Sequence, residues 1–176
     1  MGRFVVYIAM SLDGYIADED GDIHWLEAFE KDEYGYSDFI RSIGSILMGR
    51  STFEQIMSTV KWPYGEIPAL VWSGKEPAED LPERVQSLSE DVQEMSHRLR
   101  ELAGNRDSWI LGGARVVQSF LSAGLIDHMD IFIVPVLLGG GIRLFNGDGN
   151  EPRMLKLEHV QPYANGVVQL TYTNKV

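Results

Sequence analysis

Twice in this chain an apolar run ends on glycine and passes directly into a helix start. Ser45-Ile46-Leu47-Met48 reads as a short buried strand, Gly49 turns the backbone, and Thr52-Phe53-Glu54-Gln55-Ile56 reads as the first turn of a helix. Trp109-Ile110-Leu111 leads through Gly112-Gly113 into a helix from Ala114 to Ala123, with Val116, Val117, Phe120 and Leu121 on its buried face. A chain made of such joints alternates strands with helices, which predicts an α/β fold around a mostly parallel sheet. Near the N-terminus, Phe4 to Met10 is almost continuously apolar and rich in β-formers, as a central strand covered on both faces must be.

These joints also have a chemical meaning. A strand delivered to a helix N-terminus presents unpaired N–H groups and the positive end of the helix dipole, which suit a phosphate. Arg50 adds a forked cation at the first joint, and Ser51 and Thr52 add hydroxyl donors. The plainer alternative is an ordinary strand–turn–helix carrying a surface arginine. At the second joint, two successive glycines let a ligand approach the backbone with no Cβ in the way. The spacing is not Gly-x-Gly-x-x-Gly, which argues against a Rossmann domain.

The remaining chain supplies the other elements. Asp13-Gly14 turns the chain after the first strand, and Ile16-Ala17 adds a short extended piece. Asp18 to Asp22 reads as a solvated acidic loop that lacks the ligand pattern of an EF-hand, so no metal is expected there. A helix or pair of helices is predicted from Glu27 to Ile43, interrupted at Gly35, and a strand from Pro68 to Gly74. Val85, Leu88, Val92, Met95, Leu99 and Leu102 recur at spacings of three and four, predicting one amphipathic helix from Leu81 to Leu102. Met129 to Val134 is the next strand. Gly139-Gly140-Gly141 follows as a flexible loop anchored by Leu144-Phe145, and Leu155 to Val160 with Val167 to Thr173 close the chain as an antiparallel hairpin.

Composition narrows the function classes. A single domain over residues 1–176 is expected, and 44% hydrophobic content suits a packed core. The formal net charge of −11 argues against a nucleic-acid partner. With no cysteine, disulfides, thiolate metal sites and a cysteine nucleophile are all excluded. There is no long apolar run and no signal peptide, so the expectation is a cytoplasmic protein without a membrane partner.

Taken in order, the Ser11-Leu12-Asp13-Gly14 turn, the Gly49-Arg50-Ser51-Thr52 joint, the Gly112-Gly113 joint and Val134 to Gly141 resemble the dihydrofolate reductase-like superfamily. The likeness is to the branch holding the reductase domain of riboflavin biosynthesis and its small stand-alone relatives, and it spans roughly residues 3 to 173. It implies NADPH as cofactor. Arg50 would meet the 2′-phosphate, and Gly49, Ser51 and Thr52 would lie near the pyrophosphate. Ser73, with Lys75 as a further candidate, would lie at the adenosine end. Gly112, Gly113, Arg115 and Val116 would line the opposite side, with a Gly-Gly bond that is commonly cis in that family. Ala9 and Ile16 would meet the nicotinamide.

Asp13 is the acid that the resemblance places at the substrate site, as the catalytic candidate; the alternative is a carboxylate that caps its own loop. Asp32, Glu33 and Asp38 lie where folate reductases keep their substrate acid, though a solvated acidic face accounts for each. The activity implied is hydride transfer to a small heterocyclic or ribosylamine-like, pyrimidine- or pterin-type substrate. This includes 5-amino-6-(5-phosphoribosylamino)uracil reductase-like chemistry. Dihydrofolate reduction proper and a non-catalytic NADP-binding homodimer are the alternatives. A homodimer is expected in either case.

Overall fold

The computed structural model describes residues 2–75, 81–146 and 152–174. Among them, the elements in chain order are β1 (Phe4–Ser11), β2 (Tyr15–Ala17), a 3-10 helix (His24–Phe29), α1 (Tyr36–Ser42), β3 (Ile43–Gly49), α2 (Arg50–Thr59) and β4 (Ala69–Trp72). These are followed by β5 (Val85–Leu88), α3 (Val92–Ala103), β6 (Asp107–Gly112), α4 (Ala114–Ser122), β7 (His128–Val134), β8 (Ile142–Arg143), β9 (Leu155–Pro162) and β10 (Val168–Asn174).

One eight-stranded sheet runs in the order β5-β4-β3-β6-β1-β7-β10-β9. The strands from β5 to β7 are parallel, and β10 and β9 extend the sheet antiparallel. The mixed, mostly parallel architecture with a C-terminal hairpin is therefore as expected. A separate two-stranded ribbon joins β2 to β8.

Strand alternation divides β1 between two cores. Phe4 and Val6 face α3 and α4, where Met95, Leu99, Val117 and Phe120 are fully buried. Val5 points to the other face, with Ile46, Met48, Phe53 and Trp109. β1 lies between β6 and β7, so apolar residues are required on both of its faces, and its unbroken apolar run follows from that position.

Three expectations are corrected. Ile43 begins β3 instead of ending a helix. Residues 85–88 form a parallel edge strand against β4, and α3 starts only after Asp91, whose carboxylate accepts from the N–H groups of Gln93 and Glu94. Spacings of three and four between apolar residues join the two elements into one false helix, since Val85 and Leu88 alone fit either period. Finally, Leu144 anchors the glycine loop at 0% exposure, whereas Phe145 is 46% exposed. No helix among the described residues is long and apolar enough to cross a membrane.

Candidate functional site

The two glycine joints meet. β3 and β6 are neighbours, with Met48 paired to Gly112, so α2 and α4 start side by side at the carboxyl edge of the sheet. In open parallel sheets this edge is where ligands bind. Neither helix has a side-chain cap, and neither carries an acidic residue in its first turn.

The joints are also closely fitted to each other. A Cβ on Gly49 would stand 3.3 Å from Val116 Cγ2, and one on Gly113 would stand 3.4 Å from Thr52 Oγ1. Gly112 has φ +132°, a conformation that side-chain-bearing residues rarely adopt, and the Gly112-Gly113 peptide is cis. Arg50 is half-exposed beside this seam and donates from Nε to Glu54 Oε1 at 2.6 Å, one helical turn on. Ser51 and Arg115 are exposed, and Thr52 is half-buried.

β4 adds the next position along the edge, with Trp72 paired to Gly49. Ser73 follows it, 8% exposed, and closes its own turn: its hydroxyl accepts from the Lys75 N–H at 3.1 Å and lies 3.3 Å from the Lys75 carbonyl. Ser73 is thus adjacent to the joints with its hydroxyl engaged locally. Ile16, in β2, is partly buried and packs against the α3/α4-side core.

A cleft of about 1100 Å³ opens from this edge over the other face of the sheet. Ala9 and Thr52 line it at the joint end, and the sheet face contributes Tyr7, Trp109, Leu111 and Phe132. Tyr7 stacks on Phe39 with ring centroids 4.3 Å apart and lies 4.5 Å from Phe132. Burial raises the Tyr7 and Tyr64 phenols well above their ordinary range, so both remain neutral at physiological pH.

The segment around the 3-10 helix walls the far side and is tied down at several points. Tyr7 Oη donates to the Tyr34 carbonyl at 3.0 Å, Tyr34 Oη donates to the Phe29 carbonyl at 2.6 Å, and Gln55 Nε2 on α2 donates to the Gly21 carbonyl at 3.1 Å. Asn165, in the β9–β10 turn, donates to Asp32 Oδ2 at 2.7 Å. Asp32 and Glu33 both line the cleft. Asp38 lies outside it, on α1, as part of a surface pair with Arg41. Asp22, Glu27 and Glu30 line the cleft with Asp32 and Glu33, and no sequence signal marked these three as facing it.

Asp13 is held by its neighbours. It lies outside the cleft lining, and its carboxylate accepts from Ser11 Oγ at 2.6 Å and from the N–H groups of Leu138 and Gly139 at 3.1 and 2.7 Å. The Ser11 bond, followed by the two backbone bonds, lowers its pKa to about 2 against the opposing pull of desolvation. Asp13 is therefore ionised at neutral pH and ties the first turn to the glycine loop.

Comparison with known proteins fits this arrangement. The family model described as the RibD C-terminal domain matches residues 64–169, more than half of the chain. The chain belongs to that family. A RibD-type domain of this length has stand-alone relatives. The uncharacterised Bacillus subtilis protein YwjB is 39% identical over 172 residues, covering 97% of both chains. A crystal structure of a Shewanella sp. PV-4 protein assigned to riboflavin biosynthesis superposes with a TM-score of 0.86 at 27% identity, covering 99% of each chain. The fold also recurs in a Thermotoga maritima diaminohydroxyphosphoribosylaminopyrimidine deaminase/5-amino-6-(5-phosphoribosylamino)uracil reductase. There the TM-score is 0.70 at 18% identity, and the match covers 99% of this chain and 57% of that one. The RibD-type assignment accounts for the fold.

Proposed function

We propose that this protein is an NADPH-dependent reductase of a small heterocyclic substrate, acting as a single RibD-type domain. One observation carries the reading: two uncapped helix N-termini, one beside an arginine, converge at the end of an aromatic cleft. The residues present suit a dinucleotide. Gly49 and Gly113 let the two joints pack closely, with Val116 Cγ2 and Thr52 Oγ1 close against the space where a Cβ would stand, and the two adjoining N-termini answer two separated phosphate groups.

Arg50 takes the 2′-phosphate, with Ser51, Thr52 and the α2 N–H groups near the pyrophosphate. Gly112, Gly113, Arg115 and Val116 line the other side. Ser73 borders the adenosine end. Ala9, where β1 enters the cleft, leaves room for the nicotinamide ring. NADPH, once bound, supplies a hydride from its nicotinamide C4 to an electron-poor carbon of the substrate. Around that exchange, the aromatic floor orients a planar ring by stacking and excludes water, while Asp13 holds the glycine loop in place.

The name of the Thermotoga maritima protein includes a 5-amino-6-(5-phosphoribosylamino)uracil reductase, and the aminouracil ring of that substrate is the kind of planar heterocycle that suits such a cleft. Titration with NADPH and, separately, NADH tests the cofactor, read by quenching of tryptophan emission. Saturable binding that prefers NADPH, weakened in Arg50→Ala, is the expected result; no binding of either at millimolar concentration overturns the reading. Binding without NADPH oxidation across a set of uracil and pterin substrates would instead identify a non-catalytic NADP-binding protein.

A further inference from the structure

The cleft wall has a one-sided charge. Asp22, Glu27, Glu30, Asp32 and Glu33 line it, together with His24, and no lysine or arginine does so among the described residues. The segments 76–80 and 147–151 contain neither lysine nor arginine in their sequence. His24 does not substitute for a cation facing the ligand. Its Nδ1 lies 2.8 Å from Glu27 and its Nε2 lies 3.2 Å from Asp22, so both ring nitrogens are already matched to carboxylates.

Two of the hydroxyl donors beside the acidic wall are turned away from the ligand space. Ser58 and Thr59 line the cleft, but both hydroxyls are directed to the Gln55 carbonyl at 2.8 and 3.1 Å. They also sit in the last turn of α2, at the negative end of its dipole. The protein as a whole carries a formal charge of −11, which adds to the same field.

A phosphate monoester is close to a dianion at neutral pH, and taking one out of water demands paired cations or several aimed donors. From this arrangement we infer that the cleft selects an unphosphorylated planar heterocycle, neutral or cationic, and rejects the phosphorylated form of the same compound. The inference rests on the proposed reductase reading and narrows its substrate. It separates this chain from the phosphoribosylated substrate in the name of the Thermotoga maritima protein. The stacking floor of Tyr7, Trp109 and Phe132 is indifferent to the phosphate, so the acidic wall makes the choice.

The test uses compounds that differ only by that group. 5-Amino-6-(ribosylamino)uracil and its 5′-phosphate form one pair, and riboflavin and its 5′-phosphate a second. Binding to the NADP-loaded protein is measured by calorimetry, and NADPH oxidation is followed separately. The unphosphorylated member is expected to bind at least tenfold more tightly in each pair that binds. In Glu30→Lys, which places a cation on the wall at an exposed position, that preference should fall at least threefold. Equal or tighter binding of a phosphorylated member, an unchanged preference in Glu30→Lys, or a cleft that takes neither member of either pair overturns the inference. The preference persisting without any NADPH oxidation would instead remove the reductase reading and leave the charge selection standing.

Discussion

The helices α2 and α3 start in opposite ways. At α3 the chain supplies its own anion: Asp91 accepts from Gln93 and Glu94 N–H groups, and Glu94 adds a carboxylate to the first turn. At α2, and likewise at α4, the helix begins on glycine with no side-chain cap and no first-turn acid. A cap is worth about 1 kcal/mol, so each uncapped start forgoes a stabilisation that the same chain shows it can provide. α3 follows the edge strand β5, while α2 and α4 follow β3 and β6 in the body of the sheet, where their N-termini adjoin each other. Under the proposed reductase reading, the open termini are left for a ligand and the closed one serves stability.

Giving α2 the character of α3 should produce the largest effect. Ser51→Asp places a carboxylate where a phosphate is proposed to sit. It is expected to weaken NADPH binding by about 3 kcal/mol, the scale for unit charges a few ångströms apart at a partly buried surface. The melting temperature should hold or rise, because a first-turn acid favours the helix dipole. Calorimetric titration and thermal denaturation of one preparation would show both, and a parallel fall in stability would contradict the comparison.

Arg50→Ala should cost about 1–3 kcal/mol of NADPH binding, as expected for a lost charge-assisted contact, and should narrow the gap between NADPH and NADH. The converse substitution is Asp91→Ala. It should lower unfolding stability by about 1 kcal/mol in urea while leaving NADPH affinity unchanged.

The smallest effect concerns Asp13, whose native pKa of about 2 lies below the ordinary 3.8. A depressed carboxylate contributes its stabilisation above the ordinary value and loses it as pH falls through the native one. Protection of the Leu138 and Gly139 amides from hydrogen exchange, corrected for intrinsic rates, should therefore be flat from pH 5 to 8 and decline between about 4 and 2. Asp13→Asn should lower it already at pH 7.

The legibility of these features followed the range of the interactions that fix them. Gly49-Arg50 and Gly112-Gly113 could be read because a strand-to-helix joint is local, and the unbroken apolar run of β1 revealed its central place. The edge strand Val85–Leu88 could not, since its identity depends on pairing with Ala69–Trp72, and its two apolar residues fit a helix equally well. Asp13 was visible as a turn residue, but its partners lie at 138 and 139, and only the fold shows that the carboxylate is already occupied. Asp32 and Glu33 were visible as candidate acids, but their joining with Asp22, Glu27 and Glu30 into one wall was not, since that segment is fixed from afar, Asp32 by Asn165.

The position of β1 between β6 and β7 has a consequence for synthesis on the ribosome. Phe4 pairs with Ser108 and Val5 with His128, so β1 gains its first partner, β6, when the chain is roughly three-fifths made and its second, β7, only at about three-quarters. At translation rates of about 5–20 residues per second, its apolar side chains wait roughly 6–25 s for the strands that will flank them. Productive folding is gated by delivery of β7, because only then can the centre of the sheet close.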